Sequence, residues 1–364
     1  MNLTTNYKKQ KINYILYYIR NRFKINNLIF SKFKNNKNYS QMNKWLRNKI
    51  NSLFSDKKKL YVTIGLILIF IIIIIIIIIF NRKTNTPNEH QEKEFIPSIC
   101  YDSKDNPSKN CLGGWFYRVR NKTSEKNAKF AKSHNWNYVL LSSNVKTEES
   151  KKLLKDNIKS FNENNISVHI MCLEDTVYIN NPISAYNEIS SILDYINKEN
   201  LTIKGIHIDC EPHGIGNWSS LSNEGKNDIF DKWLKVIENS RKAINEKKPN
   251  ITFSGAVAWW YPSNVKEGIL KNGRGYDLVQ KNRFDFIFPM IYDGAGGTVE
   301  KVIEKSNDYI NDGAYTVIGI GIEEYEYNKF DSVINGIFEI RNESKFFSGV
   351  SVYPNYLYPD WDSY

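Results

Sequence analysis

The stretch Lys204-Gly-Ile-His-Ile-Asp-Cys-Glu-Pro-His213 decides how this chain of 364 residues is interpreted. Its apolar residues predict a buried β-strand that ends in two carboxylates, Asp209 and Glu211. Because successive strand residues point to opposite faces, His207, Asp209 and Glu211 are expected to project the same way. Two buried acids are costly unless they are paired or used in chemistry. In a barrel of alternating strands and helices, catalytic residues lie at this end of the strands.

From about residue 112 onward, strand-like and helix-like segments alternate along the chain. Over about 250 residues, this alternation predicts a (β/α)8 TIM barrel of the α/β class. A doubly wound open sheet is the main alternative. It normally carries a glycine-rich turn after its first strand, and Trp115-Phe-Tyr-Arg-Val-Arg120 is not such a turn. The predicted strands are 114–119, 137–141, 167–173, 204–211, 251–259, 284–292, 315–322 and 349–353. The predicted helices are 124–134, 148–164, 183–200, 227–246, 265–281, 298–311 and 332–339, with no helix expected after the eighth strand.

The N-terminal part of the chain has a different composition. Residues 1–59 carry 15 Lys and Arg and one acid, whereas the rest of the chain holds 35 basic against 38 acidic side chains. The net charge of +11 therefore belongs to this basic arm, and no nucleic-acid partner is predicted for the C-terminal domain. Residues 60–80 have no charged side chain, which predicts a transmembrane helix in contact with membrane lipids. A cleaved signal peptide is the alternative, but the segment is long, distant from Met1 and without a small-residue cleavage site.

The basic residues before the apolar segment predict its orientation in a membrane. Because positive residues stay on the cytoplasmic side, residues 1–59 are expected to be a cytoplasmic arm and the segment a type II signal-anchor. Residues 81–111 are polar, contain three prolines and are predicted to be a stalk that carries a lumenal or extracellular domain, 112–364. Sequons for N-glycosylation, usable only on that side, lie at Asn121, Asn165, Asn200, Asn217, Asn250 and Asn342.

Four cysteines fit a lumenal domain with few disulfides. Cys100 and Cys111 flank a polar loop and are candidates for one bridge. Cys172 and Cys210 lie on neighbouring predicted strands, where two buried free thiols are favoured over a second bridge.

The predicted strand ends converge on one mouth that is rich in acids and aromatic rings. Rings stack on the apolar faces of sugars and carboxylates bind sugar hydroxyls, so the sequence favours a glycan ligand. Strand alternation predicts that Trp259 and Trp260 do not both point inward and that one packs against a helix. The candidate substrate-binding residues are His207, Glu174, Trp259, Trp260, Asp293, Glu323 and Tyr353.

The opening stretch resembles the signature of family 18 chitinase-like glycoside hydrolases, Asp-x-x-Asp-x-Asp-x-Glu on the fourth barrel strand. Aligned on the final Glu, this chain reads Lys204-x-x-His207-x-Asp209-x-Glu211. The closing Asp-x-Glu matches, and the two earlier acids are replaced. The resemblance could extend over about 112–364.

A second segment, Met290-Ile-Tyr292-Asp293 on the predicted sixth strand, is similar to the Met-x-Tyr-Asp segment of the same family. The resemblance implies that Glu211 is the general acid, while the substrate's N-acetyl group attacks the anomeric carbon in place of an enzyme nucleophile. It also implies that Asp209 orients the acetamido group and that Tyr292 donates a hydrogen bond to it.

The replaced acids affect the expected electrostatics. Two close carboxylates resist joint ionisation, so the pKa of one is raised, and a Glu with a raised pKa can hold its proton near neutral pH. His207 is expected to donate to Asp209 and hold it ionised, and an acidic compartment would charge His207 further. A degenerate barrel that binds glycans without cleaving them therefore stays an alternative.

Two further interpretations of these residues remain open. The series His207, Asp209, Glu211 and His213 has the ligand types of a metal-dependent hydrolase or phosphodiesterase. A strand rises about 3.3 Å per residue, however, so at most two adjacent members could share a metal, and neither a metal nor a cofactor is predicted. Alternatively, the two acids could belong to a structural ion-pair network with Lys or Arg of neighbouring strands.

Overall fold

The C-terminal part of the chain folds into a closed barrel of eight parallel strands in sequence order. The computed structural model describes residues 98–101, 111–280, 282–292, 294–341 and 343–364. The closed barrel confirms the predicted (β/α)8 architecture and rules out the open sheet. Its strands are β1 (Leu112–Phe116), β2 (Tyr138–Ser142), β3 (Ser167–Cys172), β4 (Gly205–Ile208), β5 (Thr252–Ala258), β6 (Phe286–Ile291), β7 (Thr316–Gly321) and β8 (Phe347–Tyr353).

Several sequence predictions fall outside the described residues. These are the basic arm, the apolar segment 60–80, most of the stalk, and the side chains of Asp293 and Asn342. Among the residues that are described, no helix combines the length and apolar character needed to span a bilayer.

The helices of the described residues surround the barrel and match the predicted ones except between β5 and β6. A single helix was predicted over 265–281, but the chain forms two short helices there. Gly268 and Gly273 have φ angles of +73° and +136°, which interrupt a helical backbone. The helices are α1 (Ser124–Ser133), α2 (Glu148–Glu163), α3 (Val177–Asn180), α4 (Ile183–Lys198), α5 (Asn223–Lys247), α6 (Tyr261–Lys266), α7 (Gly275–Leu278), α8 (Val299–Asn311) and α9 (Tyr327–Arg341).

Side-chain caps fix where four of the long helices begin. Thr123, Thr147, Ser222 and Thr298 each accept a hydrogen bond from the backbone N–H three residues further along. Such a cap stabilises a helix start by about 1 kcal/mol. Each cap also ends a loop that leaves the carboxyl end of a strand, so the caps hold in place the loops that form the mouth.

One tryptophan, Trp115, lies fully buried inside the barrel. Trp115 of β1 makes edge-on ring contacts with His207, Phe288, Tyr292 and Tyr353, with centroids 5.8–6.3 Å apart. The indole fits because position 319 on β7 is a glycine, where an added Cβ would lie 2.9 Å from the Trp115 ring. Trp115 therefore joins β1 by ring contacts to residues of β4, β6 and β8 and to Tyr292 just after β6.

The opposite end of the barrel, the base, is closed by residues 98–101. Ile99 is fully buried, and its carbonyl oxygen accepts hydrogen bonds from Ser167 Oγ at 3.1 Å and His169 Nε2 at 2.7 Å. A disulfide joins Cys100 to Cys111, which confirms the candidate bridge. Cys172 and Cys210 are buried free thiols, as favoured from the sequence.

Candidate active site

Asp209 and Glu211 line one cavity of about 570 Å³ at the carboxyl ends of the strands, here called the central cavity. The strand predicted over 204–211 ends earlier, since β4 stops at Ile208 and both acids lie on the loop that follows. Glu211 keeps an extended backbone, and Pro212 then starts a 3-10 turn, Pro212–Gly214. The extended backbone up to Glu211 preserves the expected common direction of the two acids.

Of the two acids, Asp209 has a carboxyl group from which folding removes the surrounding water. Tyr117 donates its hydroxyl hydrogen to Asp209 Oδ2 over 3.0 Å, whereas Oδ1 is buried with no hydrogen-bond partner in the described part of the chain. Burial raises the pKa of Asp209 to about 7, assisted by the negative charge of Glu211 and, less, of Glu174. Asp209 is therefore largely protonated below neutral pH.

His207 does not hold Asp209 ionised, so that expectation is wrong. The ring is fully buried, its Nδ1 lies 3.0 Å from Ser254 Oγ, and its Nε2 has no hydrogen-bond partner among the described residues. Burial lowers the pKa of His207 well below its usual value, so an acidic compartment does not charge it. The reason is strand geometry: residues two apart lie about 6–7 Å apart along the strand, and His207 sits one layer below Asp209.

The structure shows His213 as the partner of Glu211. The distance from His213 Nε2 to Glu211 Oε2 is 3.1 Å, and His213 Nδ1 lies 2.7 Å from the Tyr261 hydroxyl. Sequence reasoning considered His213 only as a metal ligand and did not identify Tyr117 or Tyr261. Their only sequence signal is position, because Tyr117 follows β1 directly and Tyr261 follows β5 closely.

Aromatic side chains form the remaining walls of the central cavity. Tyr292 and Tyr353 stack in parallel, with centroids 4.7 Å apart and planes 7° apart. Trp259 and Trp260 both line the cavity, and Lys305 of α8 lies 4.0 Å from the centre of the Trp259 ring, so Trp259 also contacts a helix, as expected for one of the two. Since β5 ends at Ala258, both tryptophans lie in a turn where strand alternation no longer applies.

The other predicted binding residues occupy neighbouring cavities of the same mouth. Glu174 lines a cavity of about 460 Å³ over the ends of β1–β3 and accepts a hydrogen bond from Ser142 Oγ at 2.7 Å. Glu323 lines a third cavity of about 410 Å³, which shares Tyr292 and Tyr353 with the central one. The predicted set is therefore spread over three cavities rather than gathered in one.

The described residues contain no group of three or more His, Cys, Asp or Glu side chains placed to hold a metal ion. His207 is directed to Ser254, and His213 bridges Glu211 and Tyr261. The arrangement of these residues is therefore that of a carboxylate pair supported by hydroxyl and imidazole groups.

Comparison with solved structures finds the same TIM-barrel fold in several glycoside hydrolases at low sequence identity. No protein-family model and no curated protein sequence matches the chain. An exo-β-1,4-mannosidase, Op5Man5 from Opitutaceae bacterium strain TAV5, has 9% identity and a TM-score of 0.50, with 72% of this chain and 56% of the mannosidase covered.

A GH18 chitinase from Pseudoalteromonas aurantia has 13% identity and a TM-score of 0.45, with 70% of this chain and 97% of the chitinase covered. The GH53 catalytic domain of Ignisphaera aggregans has 12% identity and a TM-score of 0.49, with coverages of 70% and 88%. At these identities the likeness extends to the fold, and any activity has to be argued from the residues of this chain.

Proposed function

We propose that the barrel is a glycoside hydrolase that cleaves glycans containing N-acetylhexosamine, with Glu211 as the general acid. The observation that carries this proposal is the carboxylate pair in the central cavity. Asp209, with its raised pKa and an unpartnered Oδ1, lies beside Glu211 and beneath aromatic walls. A carboxyl group with these properties suits an amide of the ligand, because it can accept an N–H and keep its own proton.

The proposed reaction has two steps. Glu211 gives its proton to the glycosidic oxygen as the bond from that oxygen to the anomeric carbon breaks. The carbonyl oxygen of the substrate's acetamido group forms the new bond to that carbon, so no enzyme nucleophile is needed. Asp209 Oδ1 accepts the acetamido N–H, and Tyr292 donates a hydrogen bond to the acetamido oxygen. Water then attacks the anomeric carbon as the bond from that carbon to the acetamido oxygen breaks, and Glu211 takes up a proton from the water, which restores the acetamido group and the protonated acid.

Sugar binding in this proposal relies on the aromatic side chains. Trp259, Trp260 and the stacked pair Tyr292 and Tyr353 offer flat surfaces around the acids. Rings of this kind pack on the apolar faces of pyranoses while polar groups bind the hydroxyls. The neighbouring cavities, with Glu174 and Glu323, would contact further parts of a glycan in this proposal.

We also propose that the barrel, 112–364, is carried by a type II membrane anchor. The support is the sequence: an uncharged segment, 60–80, preceded by the basic arm 1–59 and followed by the polar stalk 81–111. The disulfide between Cys100 and Cys111 is the kind of bond that persists in an oxidising lumenal or extracellular compartment.

The activity is tested with the Glu211→Gln variant of the full-length chain in detergent. With a chromogenic N-acetylglucosaminide and with chitooligosaccharides, we expect kcat to fall by about 10²–10⁴-fold, because Gln cannot donate the acid proton. Glu163→Gln, which removes an exposed acid at the last position of α2, is the matched control and should keep its activity. Equal turnover by Glu211→Gln and the unchanged chain would remove Glu211 as the acid.

A glycan-binding barrel without hydrolysis is the second candidate function. The observation in its favour is the neutral, buried His207, which stands where the resembling family has an acid. This candidate predicts glycan binding without turnover of the same substrates. Binding can be measured by calorimetry with chitooligosaccharides, and loss of that binding in Trp260→Ala would identify the central cavity as its location.

A further inference from the structure

His213 connects Glu211 to a tyrosine of the outer shell of the barrel. Its Nε2 lies 3.1 Å from Glu211 Oε2, and its Nδ1 lies 2.7 Å from the Tyr261 hydroxyl. The imidazole also meets the rings of Trp260 and Tyr261 edge-on, at centroid distances of 5.3 and 5.7 Å. The position and the plane of the imidazole are therefore both fixed by contacts.

Tyr261 is itself held rigidly. It is fully buried at the first position of α6, and its ring packs edge-on against Phe230 and Trp233 of α5, at 5.2 and 6.0 Å. A hydroxyl on a ring that is packed on several sides has one direction available. The contacts thus form a continuous series from helix α5 through Tyr261 and His213 to Glu211.

The same contacts determine the tautomer of His213. Burial raises the pKa of Tyr261 well above its usual value, so the phenol keeps its proton and donates it to His213 Nδ1. Because Nδ1 accepts, the imidazole proton lies on Nε2, the nitrogen that lies 3.1 Å from Glu211 Oε2. One carboxylate oxygen of Glu211 is thereby occupied, and the other, Oε1, remains to carry the acid proton.

We propose that His213 and Tyr261 are positioning residues that orient Glu211 for proton transfer to the leaving group. This inference rests on the proposed function, in which Glu211 is the acid. The two residues contact Glu211 and each other rather than the reacting atoms. Their effect should therefore fall on the proton transfers of Glu211, and it should depend on the leaving group in the step in which the glycosidic oxygen is protonated.

The test compares two leaving groups on the full-length chain in detergent. A 2,4-dinitrophenyl N-acetyl-β-glucosaminide departs with little protonation, whereas an N-acetylglucosamine oligosaccharide requires the acid. For His213→Ala we expect kcat on the oligosaccharide to fall about 30–100-fold with KM unchanged, because a small misplacement of a catalytic group costs about 10²-fold. On the dinitrophenyl glycoside the loss should stay below about 3-fold, since little acid assistance is required there.

Two further variants sharpen this test. His213→Gln can still donate to Glu211 through its amide and should recover most of the lost kcat. Tyr261→Phe removes the hydroxyl that fixes the tautomer of His213. It should show the same leaving-group dependence as His213→Ala, with a smaller loss of kcat. The matched control is Tyr309→Phe, which removes another buried hydroxyl, bonded to the Ala258 carbonyl at 2.8 Å, and should affect both substrates alike.

A loss of equal size on both leaving groups, or none on either, would overturn the positioning role while leaving Glu211 as the acid. The proposed function fails separately, if Glu211→Gln turns over both substrates as fast as the unchanged chain. The hydrogen-bond series has a readout of its own that needs no turnover. In ¹⁵N spectra of the histidine side chains, the His213 signal, assigned by its absence from His213→Gln, should show the proton on Nε2, and a proton on Nδ1 would overturn the inference.

Discussion

The base and the mouth of the barrel differ in what surrounds their buried polar atoms. At the base, Ser167 and His169 both donate to the carbonyl of Ile99, and a disulfide fixes the segment that supplies this carbonyl. At the mouth, Asp209 Oδ1 lacks a hydrogen-bond partner in the described part of the chain. An unpaired buried oxygen costs about 1–3 kcal/mol. The base also holds an unpaired buried atom, His169 Nδ1, but that side chain is fully buried, whereas Asp209 borders the central cavity, where a ligand can satisfy its Oδ1.

The largest effect on the free energy of unfolding is expected from Asp209→Asn, a change at the mouth. The folded pKa of Asp209, about 7, lies above its ordinary value of 3.8, so its stabilising contribution is complete below about pH 4 and is lost as the pH rises through 7. Asn has no charge to bury, and at pH 8 it should raise the free energy of unfolding by at most about 4 kcal/mol. Urea unfolding of both proteins at pH 4 and pH 8 measures this difference.

In the same variant, kcat/KM should fall by about 10²-fold or more, because the carboxylate that orients the acetamido group is lost. The variant would thus gain stability and lose activity together. Urea midpoints that differ by the same amount at both pH values would show that Asp209 is not dehydrated in the folded protein.

The next largest effect on stability is expected from a change at the base. Ile99→Ala removes a fully buried side chain from the barrel interior and should lower the free energy of unfolding by about 2–4 kcal/mol. Turnover of the remaining folded protein should not change, since Ile99 lies at the end opposite the acids. The control is Ile183→Ala, at a position that is 55% exposed, with an expected change below about 0.5 kcal/mol. An altered KM in Ile99→Ala would mean that the two ends are coupled.

The smallest effect is expected from the sequons. Asn165, Asn200 and Asn250 are exposed and lie in the loops that lead into β3, β4 and β5 at the base. After expression in a eukaryotic secretory host, each Asn→Gln change should remove one glycan, seen as a step in gel mobility, with activity and stability unchanged. The absence of glycan from all three positions would contradict the lumenal placement of the domain.

Apolar runs predicted the order and the approximate limits of all eight strands, because buried parallel strands need continuous hydrophobic sequence. The prediction of a single helix over 265–281 was wrong. It gave more weight to the amphipathic pattern than to the glycines at 268 and 273. Strand alternation could not show that Trp259 and Trp260 both border the cavity, since β5 ends at Ala258 and alternation holds only within a strand. The local rule was sound in each case and was applied beyond the end of its element.

The acids of the site were identified from sequence because their types and spacing are local. Their partners were not, because Tyr117 and Tyr261 reach Asp209 and His213 across the barrel mouth, from positions remote in the chain. The charge state of His207 was also assigned wrongly. A sequence shows which residue is ionisable, whereas its pKa depends on how much water the fold removes around it.

Trp115 occupies the space that Gly319 leaves free, and its ring contacts four other aromatic rings. Two of those rings, Tyr292 and Tyr353, line the central cavity, whereas the indole that supports them is fully buried. A smaller residue at 115 would remove this support, so the shape of the cavity wall depends on a residue that no ligand touches.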